Sequence, residues 1–145
     1  MLATVQRVSS AEIVIDGEIF TSIRDGFLMF VCVEKDDVSQ NINKMVNKLL
    51  NFRMLDGPKG ITSSPLNDSG KEVLIVSQFT LAAITNKGNK PSFHKAAEPD
   101  NAKLMYDEFV REFKKSFPNV KEGKFGAFME ISLTNIGPVT FNFKT

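Results

Sequence analysis

The stretch Phe27–Val33 (Phe-Leu-Met-Phe-Val-Cys-Val) carries no charged or strongly polar side chain, with Asp25-Gly26 before it and Glu34-Lys35-Asp36-Asp37 after it. It is too short to span a bilayer. A short continuous apolar run bounded by turn chemistry reads as a central strand buried on both faces. The rest of the chain must supply the cover for those faces.

Much of the first third is strand-like. Leu2–Val8 is rich in β-formers, and Ala11–Ile15 follows after Ser9-Ser10. Asp16-Gly17 between Ile15 and Glu18-Ile19-Phe20 is a two-residue hairpin signal. Ser39–Asn51 predicts a helix, because Ile42, Met45, Val46, Leu49 and Leu50 recur at spacings of three and four, with Asp36, Asp37 and Ser39 as candidate caps. The segments 56–60 and 65–70 read as loops, Glu72–Ser77 as a strand and 85–90 as a polar loop. A second helix runs from Asn101 to about Phe117, with Asp100 as the expected N-cap and Pro118 as the stop. Its stripe of Met105, Phe109, Phe113 and Phe117 reads as core. Phe125–Leu133 alternates as a strand, and Val139–Phe143 is the last one. The expectation is one compact α+β domain over residues 1–145. Mostly antiparallel sheets would close into a barrel-like core, with two helices packed outside.

Composition narrows the chemistry. Lys plus Arg number 18 and Asp plus Glu 17, so a net charge of +1 excludes a dominant basic field while leaving room for a local patch. One cysteine, Cys32, excludes an intrachain disulfide, and its apolar neighbours make it a small buried hydrophobe. One histidine, His94, beside one cysteine cannot build the usual zinc sites. No signal peptide pattern opens the chain, so the expected compartment is the cytoplasm. A Ser-His-Asp triad would have to use His94, which has no nucleophile-elbow sequence near it and reads as a surface residue. No phosphate-cradling glycine motif is present. The acid pairs Asp36-Asp37 and Glu98 with Asp100 sit before helices, where capping accounts for them.

Two segments stand out instead. Ser77-Gln78-Phe79-Thr80-Leu81-Ala82-Ala83 brings two hydroxyls, an amide and an aromatic ring together where the chain leaves a strand, a position suited to ligand contact and equally to ordinary strand-end capping. Asn135-Ile136-Gly137-Pro138-Val139-Thr140 contains an X-Pro bond that can be cis, and a glycine that lets backbone approach a ligand; a plain Gly-Pro turn is the simpler alternative.

With these two motifs, in this order, the chain closely resembles the bacterial and eukaryotic D-aminoacyl-tRNA deacylases. The likeness continues through Gln6-Arg7-Val8, Gly26–Asp37 and Pro91-Ser92-Phe93. It departs at Phe128 and Ile136, where the family often has Asp. The resemblance implies hydrolysis of the ester joining a D-amino acid, or glycine, to the terminal adenosine of tRNA, with no cofactor and no metal. It implies a homodimer with its active site at the subunit interface, and neither membrane nor DNA as partner. Gly137 and Pro138, joined by a cis bond, would be a filter inserted into the other subunit's pocket against L side chains, supported by Arg7. Ser77, Gln78, Phe79, Thr80 and Met129 would contact substrate. Thr80 is the candidate catalytic hydroxyl, and the backbone at Phe79 and Thr80 the candidate oxyanion contact. Lacking a base beside Thr80, the favoured chemistry is assistance by the ribose 2′-hydroxyl. Lys87 and Lys90 are candidate tRNA contacts, as are Lys114-Lys115 and Lys121 with Lys124. The competing readings are a non-catalytic tRNA- or nucleotide-binding module and a small-molecule esterase.

Overall fold

The computed structural model describes residues 1–145 except Asp68 and Lys87. Its organising element is a long first strand, β1 (Leu2–Ile15). The Ser9-Ser10 pair does not break it, as the sequence suggests; those two exposed residues lie where its pairing shifts register. Around it stand β2 (Glu18–Ile23), β3 (Gly26–Cys32), β6 (Glu72–Ser77), β7 (Val120–Glu122) and β8 (Glu130–Lys144), together with a separate hairpin of β4 (Arg53–Gly57) and β5 (Gly60–Pro65).

β1 pairs antiparallel with β2, β3 and β8, whereas β3–β6 and β6–β7 are parallel. Antiparallel pairing therefore predominates, with two parallel ladders that single-strand patterns do not disclose. The sheet order β2-β1-β3-β6-β7 curls until its ends approach one another, and Lys121 Nζ on β7 donates to the Ser22 carbonyl on β2 at 2.6 Å. The result is the expected barrel-like core.

β3 is covered on both sides, as its composition requires. Phe27, Met29 and Val31 join a cluster with the helices α1 (Ser39–Asn51) and α2 (Pro99–Ser116), while Leu28 packs with Val8, Ile13, Leu74 and Val76 inside the curled sheet. The helices bury the stripes predicted for them, Ile42, Met45, Val46, Leu49 and Leu50 in one and Met105, Tyr106, Phe109, Val110 and Phe113 in the other. Each large apolar side chain so buried contributes about 1.5–3 kcal/mol. The Tyr106 hydroxyl donates to the Ile75 carbonyl at 3.0 Å, and burial pushes its pKa up.

Several expectations need correction. Residues 53–57 and 60–65 are strands that the sequence reading leaves unassigned; the loop expected at 56–60 holds the turn of their hairpin, whose polar arms lack an alternating signal. Asp36 and Asp37 do not cap α1. Asn41 Oδ1 accepts from the Val38 amide there, while Asp37 takes the Met1 amino group and the Glu34 amide. Glu98, not Asp100, is the N-cap of α2, because Pro99 at the first helical position moves the start two residues back. The strand expected from Phe125 begins only at Glu130, since Gly126 at φ +73° turns the chain. The two strands expected after it are one, β8, running through Asn135–Pro138.

Gly26 enters this barrel with no room for a side chain: a Cβ there would land on the Glu72 carbonyl oxygen of the parallel neighbour. Gly26→Ala is expected to cost about 3 kcal/mol. The urea midpoint should fall with little change in slope, and an unshifted midpoint would contradict the packing described.

Candidate active site

β6 carries Val73–Val76, all buried, to the sheet's edge and ends at Ser77. The chain then makes one turn of 3₁₀ helix, Phe79–Ala82. The Gln78 amide donates to the Val31 carbonyl at 2.8 Å, which pins the start of this turn to β3. The Gln78 side-chain amide donates to Thr80 Oγ1. Thr80 is exposed, and Phe79 is exposed by 56% with its ring edge-on to Phe93 at 5.1 Å. Within the turn Leu81 N donates to the Gln78 carbonyl and Ala83 N to that of Thr80. The amides of Phe79 and Thr80 have no hydrogen-bond partner among the described residues, as expected for the first donors of a helical turn. Cys32 lies beneath, its Sγ 3.6 Å from the Phe79 carbonyl, and burial pushes its thiol up to about 11. It is an inert packing group, as its neighbours in sequence suggest.

The second motif is built by excess chain. Between the pairs Gln6↔Thr140 and Val8↔Asn135, β1 advances by two residues while β8 advances by five. The surplus bulges out as an exposed tip, Ile136-Gly137-Pro138. Asn135 spans it, accepting from Val139 N at 3.4 Å and donating to Thr140 Oγ1 at 3.4 Å. The Gly137–Pro138 bond is cis. Gly137 has φ +116°, and a Cβ on it would stand 2.8 Å from Val139 Cγ2 and 3.2 Å from Arg7 Nη2. Arg7 thus lies directly against the tip. It is the one residue with a charged side chain that is buried as a whole among the described residues, 7% exposed, and it donates through Nη1 to the Ile61 carbonyl at 3.0 Å, with Asp56 at 3.8 Å.

The structure therefore joins Arg7 to Gly137, and Gln78 to Thr80, but sets the two motifs apart. Gly137 sits on β8 beside Arg7 of β1, whereas Ser77 on β6 pairs with Val31 of β3, which pairs with Ala3. Three strand spacings across and four residues along amount to roughly 20 Å over the sheet surface.

Met129 is half-buried and packs against the barrel cluster near Gly123. Lys90 is exposed, and Lys87 lies outside the described residues. Lys114 pairs with Glu122 at 2.7 Å, Lys115 with Glu112 at 2.7 Å, and Lys121 with Glu72 at 3.9 Å, whereas Lys124 has no ion pair among the described residues. His94 is exposed, its Nδ1 2.8 Å from Ser92 Oγ. No group of three or more His, Cys, Asp or Glu residues gathers as a metal site among the described residues. Two surface recesses, about 490 Å³ beside Arg111 and Lys114 and about 400 Å³ beside Ser10 and Ser132, include neither motif in their lining. The residues that sequence reasoning missed are the Ile61 carbonyl and Asp56, which hold Arg7. A backbone acceptor carries no sequence signal, and the hairpin arm that supplies it shows no strand pattern.

The family model described as D-Tyr-tRNA(Tyr) deacylase matches residues 4–144. The chain belongs to this family. A D-aminoacyl-tRNA deacylase of Francisella tularensis subsp. novicida is 44% identical over 144 residues, 99% of either chain. One from Escherichia coli O1:K1 is 42% identical over 141 residues, 97% of either chain. The solved structure of a c-Myc DNA Unwinding Element Binding Protein is 36% identical, with a TM-score of 0.94 over 100% of this chain and 99% of that one. As a member of the deacylase family, the chain is a hydrolase of the aminoacyl-tRNA ester, of the class that proofreads charged tRNA. No helix among the described residues is long and apolar enough to cross a membrane.

Proposed function

We propose that this deacylase removes D-amino acids and glycine from tRNA in the cytoplasm, spares L-aminoacyl-tRNA, and works as a two-fold homodimer in which residues 1–145 form one catalytic domain. The observation that carries the reading is the braced, exposed Gly137-Pro138 tip, set roughly 20 Å along the sheet from the hydroxyl-bearing turn at Ser77–Thr80. A tip in that position cannot screen a substrate held at its own chain's turn, but a second copy can present it. Isologous pairing is the commonest way for a soluble chain to supply one.

In this reading Ser77, Gln78 and Thr80 position the ester, with Met129 at the edge of the site. Water adds to the ester carbonyl while the amides of Phe79 and Thr80 hold the oxyanion; as the bond to the ribose oxygen breaks, the neighbouring 2′-hydroxyl passes its proton to that oxygen and takes up the proton the water releases. Thr80 is a positioning group here. Its Oγ1 accepts from an amide, which cannot act as a base. The tip, held by Arg7, occupies the space an L side chain needs, so discrimination is steric. Glycine has no side chain and is not excluded. The alternative of a non-catalytic nucleic-acid-binding module is encouraged by the 36% identical structure, whose name describes a DNA-binding protein. It predicts tRNA binding without ester cleavage.

Three measurements test this reading. Paired D- and L-aminoacyl-tRNA of one amino acid, with glycyl-tRNA alongside, should show rapid loss of the D and glycyl esters and persistence of the L ester; equal D and L rates would refute the filter. Light scattering should give twice the chain mass, and a dilute monomer with full activity would refute the shared site. Thr80→Ala should slow single-turnover cleavage by about twofold to tenfold, the worth of one hydrogen bond of about 0.5–1.5 kcal/mol. A 2′-deoxy terminal ribose should be far more damaging. A trapped acyl group on Thr80 would overturn that order.

A further inference from the structure

The positive charges of this protein are unevenly committed. Along α2 and β7, Lys103, Arg111, Lys114, Lys115 and Lys121 each face a carboxylate. Lys44, Lys48, Arg53, Lys59 and Lys124 are exposed with no carboxylate within ion-pair distance among the described residues, and so are three further lysines, Lys35, Lys90 and Lys95. All three belong to the two chain segments that flank the Phe79 turn.

The backbone explains the juxtaposition. Glu34 and Ala96 form a bridge, Lys35 N donates to the Lys95 carbonyl at 2.9 Å, and Ala97 N donates to the Val33 carbonyl at 3.0 Å. Lys35 and Lys95 are thereby tied together at the end of β3. Phe93, two residues before Lys95, carries its ring to Phe79. The bridge Ile84↔Ser92 closes the loop that presents Lys90. The acids close by are partly engaged: Glu34 faces the Met1 amino group and Lys144, and Asp37 takes the same amino group. Asp36 and Glu98 are the exposed acids left on these segments.

We propose that Lys35, Lys90 and Lys95 are a phosphate-contacting rim that holds the backbone of the tRNA acceptor end while the esterified terminal nucleotide lies at the Phe79 turn. This rests on the D-aminoacyl-tRNA reading and adds the surface by which the polynucleotide, rather than the ester, is recognised. A near-neutral protein can grip a polyanion only through such local, uncommitted cations, and their contribution is read in the salt dependence of binding.

The test compares a D-aminoacyl-tRNA with the same D-amino acid esterified to adenosine alone, using the full-length wild type, Lys35→Gln/Lys95→Gln, Lys90→Gln, and Lys103→Gln on α2 as a control. For the double variant, the plot of log kcat/KM against log salt with the tRNA ester should flatten by about 1.4, at about 0.7 for each phosphate no longer neutralised. Its deficit relative to wild type should then shrink about sevenfold between about 50 and about 200 mM salt. Its preference for the tRNA ester over the adenosine ester should fall with it, and Lys35→Arg/Lys95→Arg should restore both. Lys90→Gln should flatten the plot by about half as much. A slope unchanged in the rim variants, or flattened equally by Lys103→Gln, would overturn the rim while the wild-type cleavage keeps the deacylase reading intact. Failure of the wild type to cleave either ester would overturn that reading, and the rim with it.

Discussion

The ladder between β1 and β8 is the constraint on which the rest depends. β1 is paired to β3 over Leu2–Val8, to β2 over Ala11–Ile15, and to β8 over nearly its whole length. One strand therefore terminates no sheet and fixes three neighbours. Because side chains alternate across it on either side of the Arg7–Ser10 irregularity, its register decides at once which residues fill the barrel and which meet the helices. Arg7 sits in this strand where the ladder to β8 slips, and the slip frees the chain that becomes the Gly137-Pro138 tip. The buried guanidinium and the exposed tip are thus two results of one irregularity in one ladder.

The site itself is chemically spare. It offers hydroxyls, amides and an aromatic ring, with a thiol held up at about 11 beneath them and a histidine hydrogen-bonded to Ser92 nearby. An aminoacyl ester is already activated, so such a site has little need of a strong base. In the function proposed above the harder task is selection, which rigid placement of backbone accomplishes better than reactive side chains do. That fits the way both motifs are secured. Gln78 is tied to Val31, Asn135 spans the tip, and Arg7 is held by the Ile61 carbonyl.

Much of this was open to reading from the residues. The spacing of apolar side chains in α1 and α2 placed both helices to within a residue or two at each end, because a helix packed on one side must repeat every three to four residues. The apolar run of β3 declared itself buried on both faces. Boundaries failed where neighbours override local preference. Ser9-Ser10 and Asn135–Pro138 look like breaks yet lie inside strands, since β1 and β8 hold each other through those residues. The arms of the β4–β5 hairpin look like loop because they are polar and mostly exposed.

What the sequence determined by itself was the local physics and the inventory: which stretches must be buried, which can turn, and that one cysteine and one histidine are too few for the usual Cys/His zinc sites and leave a triad only His94 to use. The two candidate motifs were also visible as residue types. The tertiary structure alone decided their relation. That Arg7 lies against Gly137, that the carbonyl of Ile61 in the β4–β5 hairpin holds Arg7, that the motifs lie well apart on one chain, and that Lys35 meets Lys95 all depend on pairings between distant segments. Backbone hydrogen bonds make those pairings, and because every residue type but proline offers the same donor and acceptor, no pattern in the sequence announces them.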